Sequence, residues 1–451
     1  MLSMVNGTIR FSQKDRLIDQ VIFARLLTLF PGLHENVRLP SSGVLRGIAA
    51  MWKLKDILVY ALIGGWFLVS LFAFSDTPGD DLSSLYFAAR FIESGRIEHV
   101  FSYDPVYFHI VGDPVWTEEA KKAGFEHFLH PFVQAPLWAW VVSPLAVALD
   151  FPTFNHLFLF VNVFGAVGTF VLAIWMWDRR LLAPIPLAML ILLISASQPF
   201  RYTFYLNQTQ AIILFLTVAA VYAERRSRPV LAGLALAVAS LIKILPLALA
   251  VYWFAVGCRR AALWTVGFLA GAAVLGLVVL DPRLNLTYLH RLREISNIVV
   301  LGMNNQSFVT WLTAMTTPIE LKWQMAPLPA WLKLLNYSVA AVVFLAFAWR
   351  WRVARPVDVH AAAIAVILLV TTIFAPIAWT HYYLVLVVIS VVLLRLYSSR
   401  TGVLLIALIW VLNTRPIAPA VMPTWRDPFL WTHFYSGLLA LVGLYFAPRR
   451  H

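Results

Sequence analysis

Long apolar stretches alternate with short polar segments along most of the chain, beginning at residue 57. A transmembrane helix needs about 20 predominantly apolar residues, and residues 57–74 are the first stretch that approaches this length. The pattern predicts an all-α, polytopic transmembrane bundle of about 11 to 13 spans, short or re-entrant helices included. The later apolar runs lie near residues 133–149, 153–177, 182–198, 208–223, 230–257, 261–280, 331–350, 358–375, 381–397, 402–413 and 431–447.

The polar segment after the first span, residues 75–131, carries ten acidic and four basic side chains, whereas the leader before that span is basic. Lys and Arg are enriched in cytoplasmic loops, so the leader, residues 1–55, is predicted to be cytoplasmic and the acidic segment external. Apolar residues of the leader recur at helical spacing, which is compatible with an interfacial helix and with an ordinary solvated segment. The rest, residues 56–451, is predicted to be one transmembrane domain with external loops at 75–131 and 281–330.

Two apolar runs do not fit a simple alternation of full spans between basic loops. The runs 133–149 and 153–177 cannot both cross fully if the leader and Arg179–Arg180 both face the cytoplasm, so 133–149 is predicted to be a partial crossing. The run 230–257 lies between two basic clusters but is too short for two full crossings. It is interrupted at Lys243-Ile-Leu-Pro246, which predicts two short helices. Broken helices are tolerated within a membrane only where protein or a cavity satisfies the freed backbone groups. The pattern therefore predicts a cavity on the outer side of the bundle.

Composition agrees with a membrane protein and argues against several functions. Hydrophobic residues make up 61% of the chain and charged residues 13%, against roughly 25% charged residues in soluble domains. The net charge of +13 is explained by cytoplasmic loops rather than by nucleic-acid binding, because no basic stripe lies on a soluble element. The single cysteine, Cys258, excludes an internal disulfide. The sequence has no Gly-rich nucleotide loop, which disfavours a sugar-nucleotide donor and favours one that arrives through the membrane.

Two adjacent aspartates, Asp80 and Asp81, follow the turn made by Pro78 and Gly79 at the outer end of the first span. An aspartate at the start of the next helix can cap its free backbone N–H groups. A carboxylate at the membrane surface can instead act as a general base that takes a proton from a bound hydroxyl. Either residue fits either role, although capping explains one aspartate more easily than two.

Two side chains are candidates for binding a phosphate. Lys243 interrupts an otherwise apolar stretch, and charged residues inside spans are costly and commonly functional. Snorkelling of the ammonium toward an interface is the alternative. His381 lies in the sequence APIAWTHYY at the outer start of a span. Its aromatic neighbours are typical of an interfacial belt, and the alternative is a contact with phosphate or sugar.

Two further polar segments are predicted at the outer membrane level, residues 199–210 (PFRYTFYLNQTQ) and 302–308 (GMNNQSF). Amide side chains donate and accept hydrogen bonds together, which suits sugar hydroxyls, although Asn and Ser are equally common in caps and turns. No pair of His, Asp or Glu has metal-ligand spacing, so a divalent metal is unsupported and no cofactor is expected. The candidates for sugar or acceptor binding are Tyr202, Asn207, Gln208, Asn305 and Gln306, with Arg201 as a nearby cation.

Several of these elements occur in the order of a known family pattern. The matching residues are Asp81, Leu82, Tyr86, Ala88, Ala89, Arg90 and Gly95; Pro136, Pro144 and Leu145; Asn207, Gln208, Thr209 and Gln210; Gly233, Lys243 and Pro246; Asn305, Gln306 and Ser307; and Trp379, His381 and Tyr382. With these elements, over roughly residues 56–400, the chain resembles the polytopic C-type glycosyltransferases of family 87, a family that includes polyprenyl-phosphate-mannose-dependent mannosyltransferases. It departs from the pattern in the third element, which lacks a Gly and an Asn, and in the doubled aspartate.

The resemblance implies an enzyme of the bacterial inner membrane with its active site on the outer, periplasmic side. Such enzymes transfer a sugar, mannose or arabinose-like, from a polyprenyl-phosphate donor to a lipid or glycan acceptor, with inversion at the anomeric carbon. Membrane lipids are the other expected partners. A transporter or flippase for a lipid or small anion is the alternative, but transporters often contain internal repeats and none is visible here.

The resemblance also assigns roles to the candidate residues. It implies an aspartate of the first external loop as the general base, which is Asp81 by the family register and Asp80 as the second choice. Asp80, directly after Gly79, is the better placed of the two to cap the helix. The charge of the leaving phosphate then needs cationic partners, for which Lys243, Arg201 and His381 are the candidates.

Overall fold

A computed structural model describes residues 54–104, 110–317, 323–397, 400–414 and 428–448. Apart from the first residues of the first helix, this part of the chain belongs to a single compact unit, Leu58–His451. The interfacial helix predicted for the leader lies outside the described residues.

The described chain is almost entirely helical. Two short strands, β1 (Ile298–Leu301) and β2 (Gln324–Pro327), form an antiparallel pair in which Ile298 lies opposite Pro327. Four 3₁₀ turns cover Ile97–His99, Arg179–Leu182, Thr380–Val385 and Pro428–Trp431. The α-helices are α1 Leu54–Ala73, α2 Asp80–Glu93, α3 Pro114–Lys122, α4 Pro136–Ala148, α5 Phe151–Trp177, α6 Pro184–Ala196, α7 Gln198–Tyr205, α8 Gln210–Arg225, α9 Pro229–Ile242, α10 Leu247–Ala255, α11 Arg259–Val279, α12 Pro282–Ile295, α13 Phe308–Thr316, α14 Ala330–Val353, α15 Val359–Ile373, α16 Leu386–Tyr397, α17 Arg400–Asn413 and α18 Thr432–Tyr445.

The predicted all-α polytopic architecture is confirmed, with a mixture of long and short apolar helices. Within the described ranges, five helical segments are long and apolar enough to cross a membrane: α1, α5, α11, α14 and residues 380–397. Helices α6 and α7 together would form a sixth span, bent by 60°. Helices α4, α9, α15 and α17 are apolar but shorter. The two predicted external loops are folded, since the first carries α2 and α3 and the second carries α12, α13 and the strand pair.

The predicted break at Lys243 is confirmed. Helix α9 ends at Ile242, Lys243 is extended with φ −144°, and α10 begins at Leu247 after Pro246. Proline has no N–H and cannot continue the helical hydrogen-bond ladder. The second break, between α6 and α7, falls at Ser197, whose hydroxyl accepts a hydrogen bond from the Phe200 N–H and so caps α7. The first break lies at the cavity described below, and α7, the helix that follows the second break, borders that cavity through Tyr202 and Tyr205.

The core of the bundle forms where α5, α8, α15 and α16 pack around large apolar side chains. Helix α8 also packs on α9, and α9 packs on α11. Gly233 of α9 allows the close approach to α11, because a Cβ at this position would lie 2.4 Å from the Cβ of Trp264. Small residues at helix contacts are the usual means of close packing in membranes. The contacts of α5 with α8 and of α8 with α9 fix the start of α8 and the end of α9 relative to α5.

The turn that starts α2 depends on Gly79, which has φ +65° and is the N-cap residue of the helix. A Cβ at this position would lie 2.2 Å from the side-chain oxygen of Asn155 on α5. Glycine is therefore required for two reasons, the left-handed backbone conformation and the contact with α5. The tight fit fixes the position of the two aspartates that follow.

Replacement of Gly79 by alanine should lower stability more than the same change at Gly124. Both glycines have positive φ, but a Cβ on Gly124 would meet nothing within 4 Å. Gly124→Ala therefore reports backbone strain alone, and Gly79→Ala adds overpacking against Asn155, which typically costs about 1–3 kcal/mol. Thermal unfolding of both variants in one detergent measures the difference. Equal melting temperatures would contradict the packing described for this turn.

Candidate active site

The start of α2 lies against the end of α7, although the two are more than a hundred residues apart. The backbone N–H of Asp81 donates to the carbonyl oxygen of Leu206 at 3.2 Å. The hydroxyl of Thr77 donates to the carbonyl oxygens of Phe74 and Phe204 at 2.7 and 3.3 Å. The aspartate pair is thus held beside the turn that connects α7 to α8.

Three buried asparagines connect these two turns through α5, and we call Asn155, Asn162 and Asn207 the amide clamp. Asn155 and Asn162 are seven residues apart, so they lie on one face of the helix. The Asn207 amide nitrogen donates to the backbone and side-chain oxygens of Asn155, both at 2.8 Å, and its oxygen accepts from Asn162 at 2.7 Å. Asn155 also donates to the Thr77 carbonyl at 3.0 Å. Asn207 has φ +47°, a conformation that asparagine tolerates better than most residues.

The Asp81 carboxylate is held through one of its oxygens. The Gln208 side-chain amide donates to Oδ2, whereas Nε2 of His130 lies 3.7 Å from Oδ1, beyond hydrogen-bond distance. The Asp81 side chain keeps 15% exposure and borders a cavity. Its oxygens are therefore fixed in direction while remaining accessible, which is the arrangement that proton transfer from a bound hydroxyl requires.

Asp80 has a different environment. It is 6% exposed, and its Oδ1 has no hydrogen-bond partner in the described part of the protein. Burial raises the pKa of the Asp80 carboxyl, an effect that nearby His130 and His127 oppose and that Asp81 reinforces. The prediction that Asp80 caps α2 is wrong, because Gly79 occupies the N-cap position and no side chain caps it. Asp80 lies in the first turn of α2 and borders the same cavity as Asp81.

Lys243 enters the cavity from the break between α9 and α10. Its Nζ donates to Oε1 of Gln210, at the start of α8, at 3.2 Å, and lies 4.0 Å from the centre of the Tyr382 ring. An ammonium has three donors, so the amide of Gln210 satisfies only part of its capacity. The cation is therefore positioned by an amide and an aromatic face rather than by a carboxylate.

His381 borders the cavity next to Tyr382, with the two ring centres 4.9 Å apart. The residue is only 1% exposed, and neither ring nitrogen has a hydrogen-bond partner among the described residues. Buried polar atoms are nearly always paired in folded proteins. An unpaired imidazole beside a cavity is consistent with a ligand-binding role.

In the segment 302–308, Asn304 borders the cavity, whereas the predicted Asn305 and Gln306 do not. Asn304 borders the cavity and donates to the Tyr202 hydroxyl at 2.8 Å. Asn305 is fully buried, donates to the Val300 carbonyl and accepts from the Ala378 N–H. Gln306 is also fully buried, and its amide donates to the carbonyl oxygens of Met303 and Leu430. Neither of these two side chains reaches the cavity.

Two other candidates also lie apart from the cavity. Arg201 is exposed and is not among the cavity residues. Asn207 is buried in the amide clamp.

Other residues that border the cavity were not among the candidates. Those with polar side chains include His130, Gln134 and Asn304. Their signal was polarity at the edge of an apolar run, in the sequences FLHPFVQAP and GMNNQSF.

The cavity has a volume of about 340 Å³. One wall carries the stacked indoles of Trp323 and Trp379, with ring centres 5.6 Å apart. Within the described ranges, no group of three or more His, Cys, Asp and Glu side chains could hold a metal ion. The residues that line the cavity are Asp80, Asp81, Ser84, Phe128, His130, Pro131, Val133, Gln134, Tyr202, Tyr205, Leu206, Gln208, Lys243, Asn304, Trp323, Trp379, His381 and Tyr382.

Replacement of Asn207 by alanine should destabilise the protein more than replacement of Asn336, another buried asparagine. Asn336 makes one hydrogen bond, to the Phe374 carbonyl at 2.9 Å, and its backbone is helical. Asn207→Ala leaves the Asn155 side-chain oxygen and the Asn162 amide nitrogen without a partner. We therefore expect Asn207→Ala to lower the free energy of unfolding by about 1–3 kcal/mol more than Asn336→Ala. Asn207→Gly, which tolerates positive φ, should recover only the backbone part. Thermal unfolding measures all three, and equal losses for both alanine variants would contradict the clamp.

Comparison with known proteins agrees with this architecture. The family model "Glycosyltransferase family 87" matches residues 132–376. The matched region includes Tyr202, Gln208, Lys243 and Asn304, whereas Asp80, Asp81, His130 and His381 lie outside it. Neither the curated proteins nor the solved structures contain a match to this chain. Because the family model covers more than half of the 451 residues, the chain belongs to glycosyltransferase family 87.

Proposed function

We propose that this glycosyltransferase moves a sugar, mannose or arabinose-like, from a polyprenyl-phosphate donor to a hydroxyl of a lipid or glycan acceptor. The observation that carries the proposal is one cavity in which the carboxylate of Asp81 faces the same space as Lys243 and His381. A base for the acceptor and cationic or hydrogen-bonding partners for a leaving phosphate are the two requirements of this reaction. Membership of a glycosyltransferase family favours an enzyme over the transporter that was the alternative.

The reaction is an inverting single displacement. Asp81 takes the proton of the acceptor hydroxyl, whose oxygen forms a bond to the anomeric carbon from the face opposite the phosphate. The bond between the anomeric carbon and the phosphate oxygen breaks, and the electron pair leaves with polyprenyl phosphate. Gln208 and His130 orient Asp81, which limits the reorganisation needed when the proton moves.

Lys243 and His381 are the proposed partners of the phosphate. The leaving group, polyprenyl phosphate, is a phosphate monoester that needs little protonation but gains charge in the transition state, and preorganised donors stabilise such charge. Lys243 is held by Gln210 and Tyr382, and the unpaired nitrogens of His381 lie in the same cavity wall. Arg201, the third cation predicted for this role, is exposed and does not border the cavity.

A lipid-linked donor is supported by a second, apolar crevice next to Lys243. Lys243 and Tyr382 border both spaces. The crevice, of about 30 Å³, is lined mainly by aliphatic and threonine side chains of α8, α10, α15 and the break before α10, among them Leu214, Leu249 and Ile367. Because a single water already needs about 10–15 Å³ of such space, the crevice would take only the first carbons of an isoprenoid tail, next to a phosphate at Lys243. A sugar nucleotide would find no polar site for its base in this crevice.

An outward-facing site, with the enzyme in the bacterial inner membrane and its N-terminus in the cytoplasm, is supported by two helices that begin close to the site, although neither first residue borders the cavity. Helices α5 and α8 start at the amide clamp and at Gln210, and each ends beside arginines. Arg179 and Arg226 both stack on the Trp175 ring, at 4.4 and 4.9 Å, so the two arginine-bearing ends lie together. Helix α5 alone spans about 40 Å. Since arginines favour the cytoplasmic face, the cavity belongs on the opposite, periplasmic side.

The proposed activity is tested with purified protein in lipid nanodiscs, a labelled polyprenyl-phosphate mannose or arabinose, and a mixture of membrane lipids and glycans. Asp81→Asn should lower the transfer rate by about 10²–10⁴-fold, the usual contribution of a general base. Asp76→Asn is the matched control, because Asp76 is an exposed carboxylate of the same turn that does not border the cavity. Wild-type protein that transfers no sugar from either donor, or full activity of Asp81→Asn, would overturn the proposal.

The phosphate partners make a separate prediction. Lys243→Ala should lower the transfer rate by about 10²–10³-fold and raise KM for the donor, whereas Arg201→Ala should leave both unchanged. Initial rates at varied donor concentration, with the acceptor saturating, measure the two effects. A large loss in Arg201→Ala together with a normal Lys243→Ala would reverse the assignment of the phosphate site.

A further inference from the structure

In the proposed reaction Asp81 is the general base, and Asp80 has no assigned role. Asp80 is the more buried of the two and borders the cavity, yet no side chain or backbone group of the described protein donates a hydrogen bond to its carboxylate. A buried carboxylate without partners lowers stability unless something else pairs with it. The helix N-terminus favours its charge but no N–H reaches the side chain as a cap.

Asp81, the neighbouring carboxylate, is already positioned to act as a base. Asp81 accepts a hydrogen bond from Gln208 and lies beside His130, so its direction is set before a substrate binds. Asp80 accepts no such hydrogen bond, although His130 and His127 lie near enough to oppose the rise that burial causes in its pKa. The same turn holds its backbone, and its own carbonyl accepts a hydrogen bond from Ser83 at 2.6 Å. The two aspartates therefore share a helix turn and differ in what their oxygens are free to bind.

We propose that Asp80 binds a hydroxyl of a substrate sugar and so determines which sugars the enzyme accepts. A carboxylate only accepts hydrogen bonds, and a sugar hydroxyl supplies the donor that Asp80 lacks. A site with a buried acceptor rejects a substrate without the matching hydroxyl, because the acceptor is then left unpaired. The hydroxyl belongs either to the donor sugar or to the acceptor. This inference rests on the proposed transferase function.

The test compares substrates in which single hydroxyls are replaced by hydrogen. One series uses short-chain polyprenyl-phosphate sugars with deoxy positions in the donor, and a second series uses deoxy acceptors with an intact donor. For wild-type protein, one deoxy substrate should lose about 10- to 100-fold in kcat/KM, the range of a hydrogen bond to a charged group. The series in which this loss appears identifies the sugar that Asp80 contacts.

Asp80→Ala and Asp80→Asn then separate the roles of the two aspartates. In Asp80→Ala the parent substrate should lose about as much as the deoxy substrate lost with wild type, and the two substrates should differ less than about two-fold. Asp80→Asn keeps one acceptor oxygen and should retain part of the discrimination. Asp76→Asn should behave as wild type toward every substrate. Unchanged discrimination in Asp80→Ala would overturn the inference while leaving the transferase function intact.

Two further outcomes are decisive. If Asp80→Ala and Asp80→Asn abolish transfer of every substrate while Asp81→Asn retains it, Asp80 is the base and the inference is wrong. Thermal unfolding gives a readout independent of activity. Asp80→Ala should melt no lower than wild type, because it removes a buried carboxylate without partners. A markedly lower melting temperature would mean that the carboxylate stabilises the fold, and would contradict a role reserved for substrate.

Discussion

The hydrogen bonds between Asn155 and Asn207 hold the site together. They join the turn before α2 to the turn after α7, and Asn155 contacts Gly79 at a distance that excludes any side chain there. Asn207 is followed directly by Gln208, the residue that orients Asp81. Hydrogen bonds in a medium of low dielectric constant are strong, and their loss leaves buried polar groups unpaired. The position of Asp81 relative to its orienting amide therefore depends on a pair of asparagines that never face the cavity.

The two broken helices give the cavity its other walls. The chain leaves helical geometry at Lys243 and at Ser197. Lys243 itself borders the cavity, and the short helix α7 that follows Ser197 borders it through Tyr202. A break inside a membrane is costly unless the freed backbone groups are satisfied. In this chain a break lies where a candidate functional side chain, Lys243, enters the bundle. The helix break and the candidate phosphate-binding residue occur together because a continuous apolar helix could not present a cation to a ligand inside the bundle.

Apolar periodicity predicted the helical architecture and the break at Lys243, since both follow from local composition and from proline. It also identified the aspartate pair and His381, because a charged or polar residue at the end of a span is conspicuous. It could not separate Asn304 from Asn305, whose side-chain chemistry is identical. Only packing shows that Asn305 bonds to the backbone of Val300 and Ala378 while Asn304 reaches Tyr202. His130 was missed for the same reason, since its partner Asp81 is distant in sequence.

The proposed reaction requires the donor phosphate, the acceptor hydroxyl and the base to meet in one cavity, and a bound donor tests that requirement directly. A cryo-electron microscopy map of the protein in lipid nanodiscs would be determined with a polyprenyl sugar phosphonate, in which carbon replaces the bridging oxygen and transfer is blocked. We expect the phosphonate beside Lys243 and His381, the sugar toward Asp80 and Asp81, and the first carbons of the tail beside Leu214 and Leu249. Density for the phosphonate beside Arg201, or at the arginine-bearing ends of α5 and α8, would refute the proposed site.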